Sequence, residues 1–259
     1  MLMIRLDEGG RAARDVQILA PPPSLRDWVQ HVSIQPGPAR RAAWRVVPDT
    51  CPHLIFIERS DGGSSCRIVG ARSTYADIDV TGRRFTVAVR LQPGTLQALL
   101  GERAMSFTDR AFDVADVLGQ GGRRLMDRLG DASPSHAARL LLDEIAVRCV
   151  GRTPPALGPL LSDRARVDGI QWALQLSARA LHARMLATLG LAPKRALRIV
   201  RLLSALQYAG RGSGLSSAAL AARYSDQAHF TREARALLGE PPAAWRRRAT
   251  ADSFKTGGG

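Results

Sequence analysis

The side chains with the clearest chemical use in this sequence are nitrogen-rich groups near the start of two predicted helices. They are Arg179 and His182 in one helix, and Gln227, His229 and Arg232 in the other. An arginine guanidinium matches the O6 and N7 acceptors of guanine, and a glutamine amide matches N6 and N7 of adenine. These residue types therefore predict contacts to base edges in the major groove of double-stranded DNA. On one helix alone an ordinary solvated face is the better interpretation, because a lone match of this kind is weak.

The two helices that carry these groups are copies of one pattern, which strengthens the DNA interpretation. When Gly190 is aligned with Gly239, the predicted N-caps Ser177 and Asp226 coincide, and a proline follows each glycine three residues later. An N-cap, a closing glycine and a following proline define the start and end of a helix. Shorter helices are predicted just before the two copies, at about 165–174 and 216–223. A short helix, a turn and a capped helix form a helix-turn-helix unit.

Helical periodicity assigns a buried face and an exposed face to each capped helix. The residues predicted to point inward are Leu181, Met185, Thr188 and Leu189 in the first helix, and Phe230, Ala234, Leu237 and Leu238 in the second. The candidates for base contacts lie on the other face, in the N-terminal half that enters the groove in proteins of this architecture.

The positive charge of the chain is concentrated in the same region. The 259 residues include 37 Lys and Arg against 23 Asp and Glu, a formal net charge of +14. Residues 163–259 hold 16 of the basic and 6 of the acidic side chains, so +10 of the charge lies there. A coding bias toward arginine could raise the total, but it would not place the excess in the shorter segment. The distribution indicates a polyanionic partner and favours nucleic acid.

A basic stretch between the two copies predicts contacts to DNA phosphates. Its members are Lys194, Arg195, Arg198 and Arg201, on a helix whose other side is apolar. Thr231, which flanks the groove-facing side of the second helix, is assigned to the same group. Side chains of these types beside groove helices commonly position a protein on the DNA backbone.

The first part of the chain predicts an α+β domain, and the last part an all-α domain. Strands are expected at 44–47, 53–57, 67–69 and 85–91, and helices from about 119 to 150. Three prolines and two glycines then fall within 151–159, which no single helix accommodates. We therefore expect an α+β sensor-like or dimerisation domain over 1–150, a linker at 151–162, a DNA-binding domain over 163–250 and a disordered tail at 251–259.

The C-terminal strings resemble the AraC/XylS family of bacterial transcription regulators. The resemblance rests on 224–233 (YSDQAHFTRE), on 238–242 (LGEPP) with Trp245, and on 190–195 (GLAPKR). It implies seven helices, with two recognition helices entering successive major-groove segments on one face of the DNA. The family's base-contacting positions fall on Arg179, His182, Gln227, Ala228, His229 and Arg232.

The sequence departs from the family pattern at a few positions. Gln175 and Arg223 stand in the tight turns where both units usually have glycine. Ala183 replaces a frequent arginine of the first unit, and Ala234 replaces an inward aromatic residue of the second. We therefore expect the second unit to contribute more of the sequence specificity.

Residues 15–150 also resemble a sensor-type domain that precedes this DNA-binding region in some family members. The resemblance rests on 45–56 (RVVPDTCPHLIF), Val69-Gly70 and 89–94 (VRLQPG), and it implies no particular ligand. Besides double-stranded DNA, the candidate partners are a small-molecule effector at the N-terminal domain, RNA polymerase and a second copy of the chain. Whether the regulator activates or represses stays open.

Two other classes of protein are weighed against this interpretation. An enzyme could be imagined around Asp49, His53, Asp77 and Asp79, but no spacing supports a nucleophile–base pair or paired acids. Cys51 and His53 with Cys66 form one tight ligand pair, whereas structural zinc normally has two. We therefore expect neither an enzyme nor a metal or cofactor. A non-specific DNA-compacting protein needs basic charge but not two capped units.

The N-terminus lacks a long apolar segment, which argues against a signal peptide. No apolar run approaches the ~18 residues of a membrane span. Three scattered cysteines argue against a disulfide framework. These features predict a cytoplasmic bacterial protein.

Overall fold

The structure of the protein, a computed structural model, describes residues 3–6, 16–38 and 43–251. Apart from Ala251, the tail predicted at 251–259 lies outside the described residues. The described chain begins with strands and short helices and ends with helices alone. The predicted α+β first part and all-α second part are therefore confirmed.

The strands of the first part form two antiparallel sheets. They are β1 (Met3–Leu6), β2 (Gln17–Leu19), β3 (Val29–Pro36), β4 (Ala43–Val46), β5 (His53–Arg59), β6 (Ser64–Val69), β7 (Ala76–Asp79), β8 (Arg83–Leu91) and β9 (Ala111–Asp113). The larger sheet has the order β2-β3-β8-β5-β6-β9, and the smaller has the order β1-β4-β7. Side chains alternate between the two faces of a strand, so β8 directs Phe85, Val87, Val89 and Leu91 into one core.

Four helices cover that core on one face of the larger sheet. They are α1 (Thr95–Leu100), α2 (Val114–Leu118), α3 (Gln120–Leu129) and α4 (Pro134–Cys149). Leu125, Leu141 and Ile145 are among the helical residues buried against the strands. The opposite face of the sheet is unusually polar for buried surface, since Ser33, Gln35, His53 and Thr86 are each less than a tenth exposed.

The second part is built from six α-helices within residues 167–251, after a 3-10 turn at Gly158–Leu160. They are α5 (Val167–Leu174), α6 (Ala178–Leu189), α7 (Pro193–Gly210), α8 (Leu215–Ala221), α9 (Gln227–Leu238) and α10 (Pro242–Ala251). One apolar cluster joins α5, α6 and the first half of α7. Another joins the second half of α7 with α8, α9 and Trp245 of α10. The long helix α7 is thus shared by both cores and fixes one unit against the other.

The two parts of the chain pack directly against each other. Ala71 lies in the core of the first helical unit, and Val47 lies in the core of the second. The Thr108 hydroxyl donates to the carbonyl of Gly190 at 2.8 Å, and the Tyr75 amide donates to the carbonyl of Leu237 at 3.0 Å. The β-rich part therefore contacts the C-terminal ends of both α6 and α9.

Candidate nucleic-acid interface

The first helix-turn-helix unit consists of α5, a tight turn and α6. Gln175 ends α5 in the left-handed conformation, with φ of 53°. The Ser177 hydroxyl then accepts the backbone N–H of Ala180 at 3.2 Å, which caps the start of α6. Leu181 and Met185 are fully buried on one side of this helix. Gly190 ends it in a left-handed conformation.

The second unit repeats this construction with different side chains. Arg223 takes the left-handed turn position, with φ of 60°. The Asp226 carboxylate accepts the N–H of His229 at 2.6 Å at the start of α9. This hydrogen bond lowers the pKa of Asp226 below its usual value, so the cap stays ionised at neutral pH. Phe230 is fully buried, and Gly239 ends α9 in the left-handed conformation.

The residues predicted to contact bases lie together on the outward side of the two capped helices. Arg179 and His182 are exposed in the first two turns of α6, and Ala228 and Arg232 are exposed in those of α9. Within residues 3–6, 16–38 and 43–251, neither the Arg179 nor the Arg232 guanidinium forms a hydrogen bond or an ion pair. Since both groups stand clear of the buried faces of their helices, they are available to an external acceptor.

Gln227 and His229 are held by neighbours within the second unit. The Gln227 side-chain oxygen accepts the Ser216 hydroxyl at 2.7 Å, which ties α9 to α8 and leaves the amide NH2 group to donate outward. His229 is half-buried, with Nδ1 3.2 Å from the Ser225 hydroxyl and its ring at the edge of the Tyr224 ring. These contacts fix the directions of both side chains before any ligand binds.

Arg198, one of the predicted phosphate contacts, has an ion-pair partner within the protein. Its Nε lies 2.9 and 3.1 Å from the two carboxylate oxygens of Glu233, and a terminal nitrogen lies 2.8 Å from one of them. The hydrogen bond to Glu233 raises the pKa of the guanidinium. Because this two-point ion pair joins α7 and α9, Arg198 helps to position α9, and its contact with a DNA phosphate stays a prediction.

The remaining predicted phosphate residues fall into two groups. Lys194 is exposed at the start of α7 and keeps its predicted role as an expectation. Arg195 instead donates to the Ser73 carbonyl at 2.5 Å, and Arg201 lies over the Tyr224 ring at 5.9 Å. The Thr231 hydroxyl donates its proton to the Gln227 carbonyl at 2.8 Å, so in this arrangement it cannot also donate to a phosphate. The structure directs these three side chains toward the protein.

The structure also reveals cationic groups that the sequence did not single out. Arg164 and Arg223 line an open groove of about 630 Å³ beside His229, at the start of α9. Arg223 was noted only as a departure from glycine, and Arg164 precedes the first predicted helix. Only the folded chain brings the two arginines to one groove, because they are distant in sequence. We add both to the candidates for phosphate contact.

Residues 172–248 match a family model described as a helix-turn-helix domain, which covers both capped helices and the whole of α7. The chain carries an AraC-type helix-turn-helix domain. This AraC-type domain contains both α6 and α9, the helices that the sequence predicts to enter the major groove. Residues 17–113 match a second model, described as a domain of unknown function (DUF6597). The AraC-type domain is therefore joined to an N-terminal domain whose family has no described role.

Solved structures similar to the chain include several of ToxT from Vibrio cholerae. The structure from strain O395 has 9% identity and a TM-score of 0.42, over 96% of each chain. The structure of the P21 crystal form has 9% identity and a TM-score of 0.44, over 95% of this chain and 97% of ToxT. A third, from strain SCE256 with an unsaturated fatty acid bound, has 7% identity and a TM-score of 0.40, over 82% and 96%. Likeness at this level carries no conclusion about ligand or mechanism. No curated protein matches the chain.

The alternative zinc site is not assembled by the fold. Cys66 pairs with Phe56 across β5 and β6 and lies in the apolar core, whereas His53 belongs to the opposite face of the sheet. Among the described residues, no three His, Cys, Asp or Glu side chains converge as a metal site. Within the same residues, no helix combines the length and apolarity needed to cross a membrane.

Proposed function

We propose that this protein is a transcription regulator that binds double-stranded DNA sequence-specifically through α6 and α9. The observation that supports this proposal best is the pair of capped helices that pack on one shared helix, α7, and expose Arg179 and Arg232 on their outward faces. A protein that only neutralises DNA charge would need the basic residues but not two helices of matched construction. The AraC-type domain gives this arrangement an established DNA-binding architecture.

The proposal separates residues that contact bases from residues that hold the helices in place. Arg179, His182, Gln227, Ala228, His229 and Arg232 form the proposed base-contacting set. Lys194, Arg164 and Arg223 are the proposed phosphate contacts, because they are exposed cations near these helices. Arg198 positions α9 through Glu233, and Ser177 and Asp226 cap the recognition helices.

The N-terminal part is proposed to control DNA binding in response to a small-molecule effector. Support comes from its direct contacts with the ends of both recognition helices, at Gly190 and Leu237. A change in the N-terminal domain can therefore reach both units without passing along the segment 151–162. A second copy of the chain and RNA polymerase are further partners that the proposal includes.

The experiment selects binding sites for the full-length protein from a library of randomised duplexes at two salt concentrations. The compared variants are Arg232→Ala, Arg179→Ala and the control Arg124→Ala, which removes an exposed arginine of α3. Losing a bidentate base contact costs about 1–3 kcal/mol and relaxes preference at one base pair. We expect that result for Arg232→Ala, a smaller effect for Arg179→Ala and none for the control.

The same experiment distinguishes the alternative function. A non-specific DNA-binding protein would select no common sequence, and its affinity would fall with salt for every duplex alike. A selection without a consensus would therefore overturn sequence-specific regulation while leaving DNA binding intact. A larger loss of preference with Arg179→Ala than with Arg232→Ala would reverse the ranking of the two units.

A further inference from the structure

A cavity of about 140 Å³ lies between the larger sheet and the smaller one in the N-terminal part. Its apolar wall includes Ile55, Ile57 and Val69 from the larger sheet and Ile78 from β7. Ile55 and Ile57 alternate along β5 with core residues, so they lie on the face directed away from the helices. Since an engineered cavity of about 150 Å³ holds benzene, this one accommodates an apolar group of about six carbons.

Arginine side chains without strong acceptors line the same cavity. They are Arg67, Arg72 and Arg83. Nε of Arg72 is buried without a hydrogen-bond partner. Arg83 makes only long contacts, 3.4 Å to the Thr86 hydroxyl and 3.3 Å to the Asp79 carbonyl. Within the part of the chain that the structure describes, the Arg67 guanidinium forms neither a hydrogen bond nor an ion pair.

The charge around these arginines favours an anionic ligand. Among the described residues that line the cavity, Asp49 alone carries a carboxylate, and it is already paired with Arg90 at 2.7 Å. Burial and the charges of two neighbouring arginines lower the pKa of Arg83, against an opposing effect of Asp79. Guanidinium groups in such surroundings bind carboxylates through charge-assisted hydrogen bonds. Because several arginines lack an acceptor, a ligand with more than one negative charge matches the cavity best.

Arg72 and Arg83 approach the cavity from opposite ends. The backbone of Arg72 forms two hydrogen bonds with that of Asp49, at 2.8 and 3.0 Å, and the Asp49 carboxylate lies 3.8 Å from the His53 ring. Arg83 instead contacts Thr86, which pairs with the residue of β5 four positions beyond His53. Four residues of a strand span about 13 Å, which is therefore the approximate distance between the two ends.

The spacing of the two arginines specifies the shape of the ligand. A hydrogen bond of about 3 Å at each end leaves about 7 Å between two carboxylates, which a chain of about six carbons spans. A ligand with a single carboxylate would leave one of the arginines without an acceptor. We propose that this cavity binds an α,ω-dicarboxylate whose two carboxylates bind Arg72 and Arg83. Its methylene groups pack against Ile55, Ile57 and Ile78.

The proposed site connects to both helix-turn-helix units through the residues that follow Arg72. The Ser73 carbonyl accepts a hydrogen bond from Arg195 at the start of α7, the helix that both units share. The Tyr75 amide donates to the Leu237 carbonyl near the end of α9 at 3.0 Å. A dicarboxylate bound by Arg72 would therefore change the placement of both units. This regulatory step rests on the proposed function, whereas binding of the dicarboxylate does not.

The test measures ligand binding to the full-length protein without DNA, by saturation-transfer NMR followed by calorimetry. The probes are glutarate, adipate, pimelate and suberate, and each is compared with the monocarboxylate of the same chain length, from pentanoate to octanoate. We expect at least one dicarboxylate to bind, and its monocarboxylate to bind about tenfold more weakly or not at all. Failure of every dicarboxylate to bind, or a monocarboxylate that binds as tightly as its dicarboxylate, would overturn the proposal.

Two variants locate the ligand, and a matched control on α3 accompanies them. Arg72→Gln and Arg83→Gln should each weaken dicarboxylate binding about tenfold, because each removes the charge that binds one carboxylate. Either variant should then bind the dicarboxylate about as weakly as the parent binds the monocarboxylate of the same length. Arg124→Gln should bind as the parent does. Circular dichroism establishes which variants are folded, and undiminished binding by a folded variant of either cavity arginine would overturn the placement of the ligand.

Coupling to the helical units is measured separately, as hydrogen exchange of the Tyr75 amide. We expect bound dicarboxylate to slow this exchange about threefold, because it orders the segment that follows Arg72. Unchanged exchange would overturn the coupling alone. A protein that binds a dicarboxylate but fails to bind DNA would overturn only the proposed function.

Discussion

Gln175 and Arg223 occupy the same left-handed position in the two helix-turn-helix units, with φ of 53° and 60°. Gln175 is the C-cap of α5, and Arg223 follows the C-cap of α8, Ala222. In both turns the next amide reaches back to a carbonyl five residues earlier, from Leu176 to Gln171 and from Tyr224 to Ala219. This is the geometry that glycine adopts without steric cost. The turns thus keep the usual shape although the glycine is missing from both.

Glycine at either position should stabilise the protein. A side chain in the left-handed region costs about 1–2 kcal/mol of stability, and glycine removes this cost. Glycine also raises the conformational entropy of the unfolded chain, which lowers stability by about 0.4–1 kcal/mol. We expect Gln175→Gly and Arg223→Gly each to raise the free energy of unfolding by about 0.5–1 kcal/mol, measured by urea denaturation. Gln207→Gly, at an exposed place within α7, is the control and should lower it by about 1 kcal/mol. A loss of stability at both turns would show that the side chains stabilise them.

The ion pair between Arg198 and Glu233 should contribute to stability. Arg198→Ala and Glu233→Ala should each destabilise the protein, and a double-mutant cycle should give a coupling energy of about 1 kcal/mol, because the contact is two-point and partly shielded from solvent. Chemical denaturation of the three variants and the parent measures this coupling. A coupling near zero would mean that the pair does not hold α9 against α7.

The salt dependence of DNA binding should distinguish Lys194 from Arg198. Lys194→Ala removes an exposed cation, so the slope of log affinity against log salt should fall by about one. Arg198→Ala should leave that slope unchanged, because Glu233 already neutralises the guanidinium. Fluorescence anisotropy on one duplex over a range of salt provides the measurement. Equal slopes for Lys194→Ala and the parent would remove Lys194 from the phosphate contacts.

Substitution of Gly239 should lower the stability of the protein more than substitution of Gly212, because only Gly239 lies against another side chain. Both have positive φ, 74° and 94°. A Cβ at Gly239 would lie 2.4 Å from the Tyr75 ring, whereas nothing lies within 4 Å at Gly212. Gly212→Ala should therefore cost about 1 kcal/mol of stability from its backbone, and Gly239→Ala about 1–3 kcal/mol more from the clash.

Tyr75→Ala tests the origin of that additional cost. In a double-mutant cycle it should remove the clash part of the Gly239→Ala penalty and leave the backbone part, because the ring is the obstacle and φ is unchanged. Additive effects of Tyr75→Ala and Gly239→Ala would show that the end of α9 is not pressed against the N-terminal part.

Much of the fold followed from local patterns in the chain. The alternation of Phe85 with Val87 along β8 predicted a strand with one buried face, and this is observed. The closing glycines and three-to-four spacing of apolar residues predicted α6 and α9, because capping and amphipathicity act within one helix. The strands β1, β2, β3, β7 and β9 were not predicted. Four of them have only three or four residues, and β3 pairs with β8, which is distant in sequence.

The sequence by itself determined which helices carry the base-contacting candidates, because the period of an α-helix decides which side chains share a face. It could not decide which cations were available to DNA. That depended on contacts between distant residues: Glu233 forms an ion pair with Arg198, and the Ser73 carbonyl accepts a hydrogen bond from Arg195. It also gave no sign that Asp49, His53, Arg72 and Arg83 meet at one cavity. Strand pairing and the packing of two sheets bring them together, and both are properties of the tertiary structure.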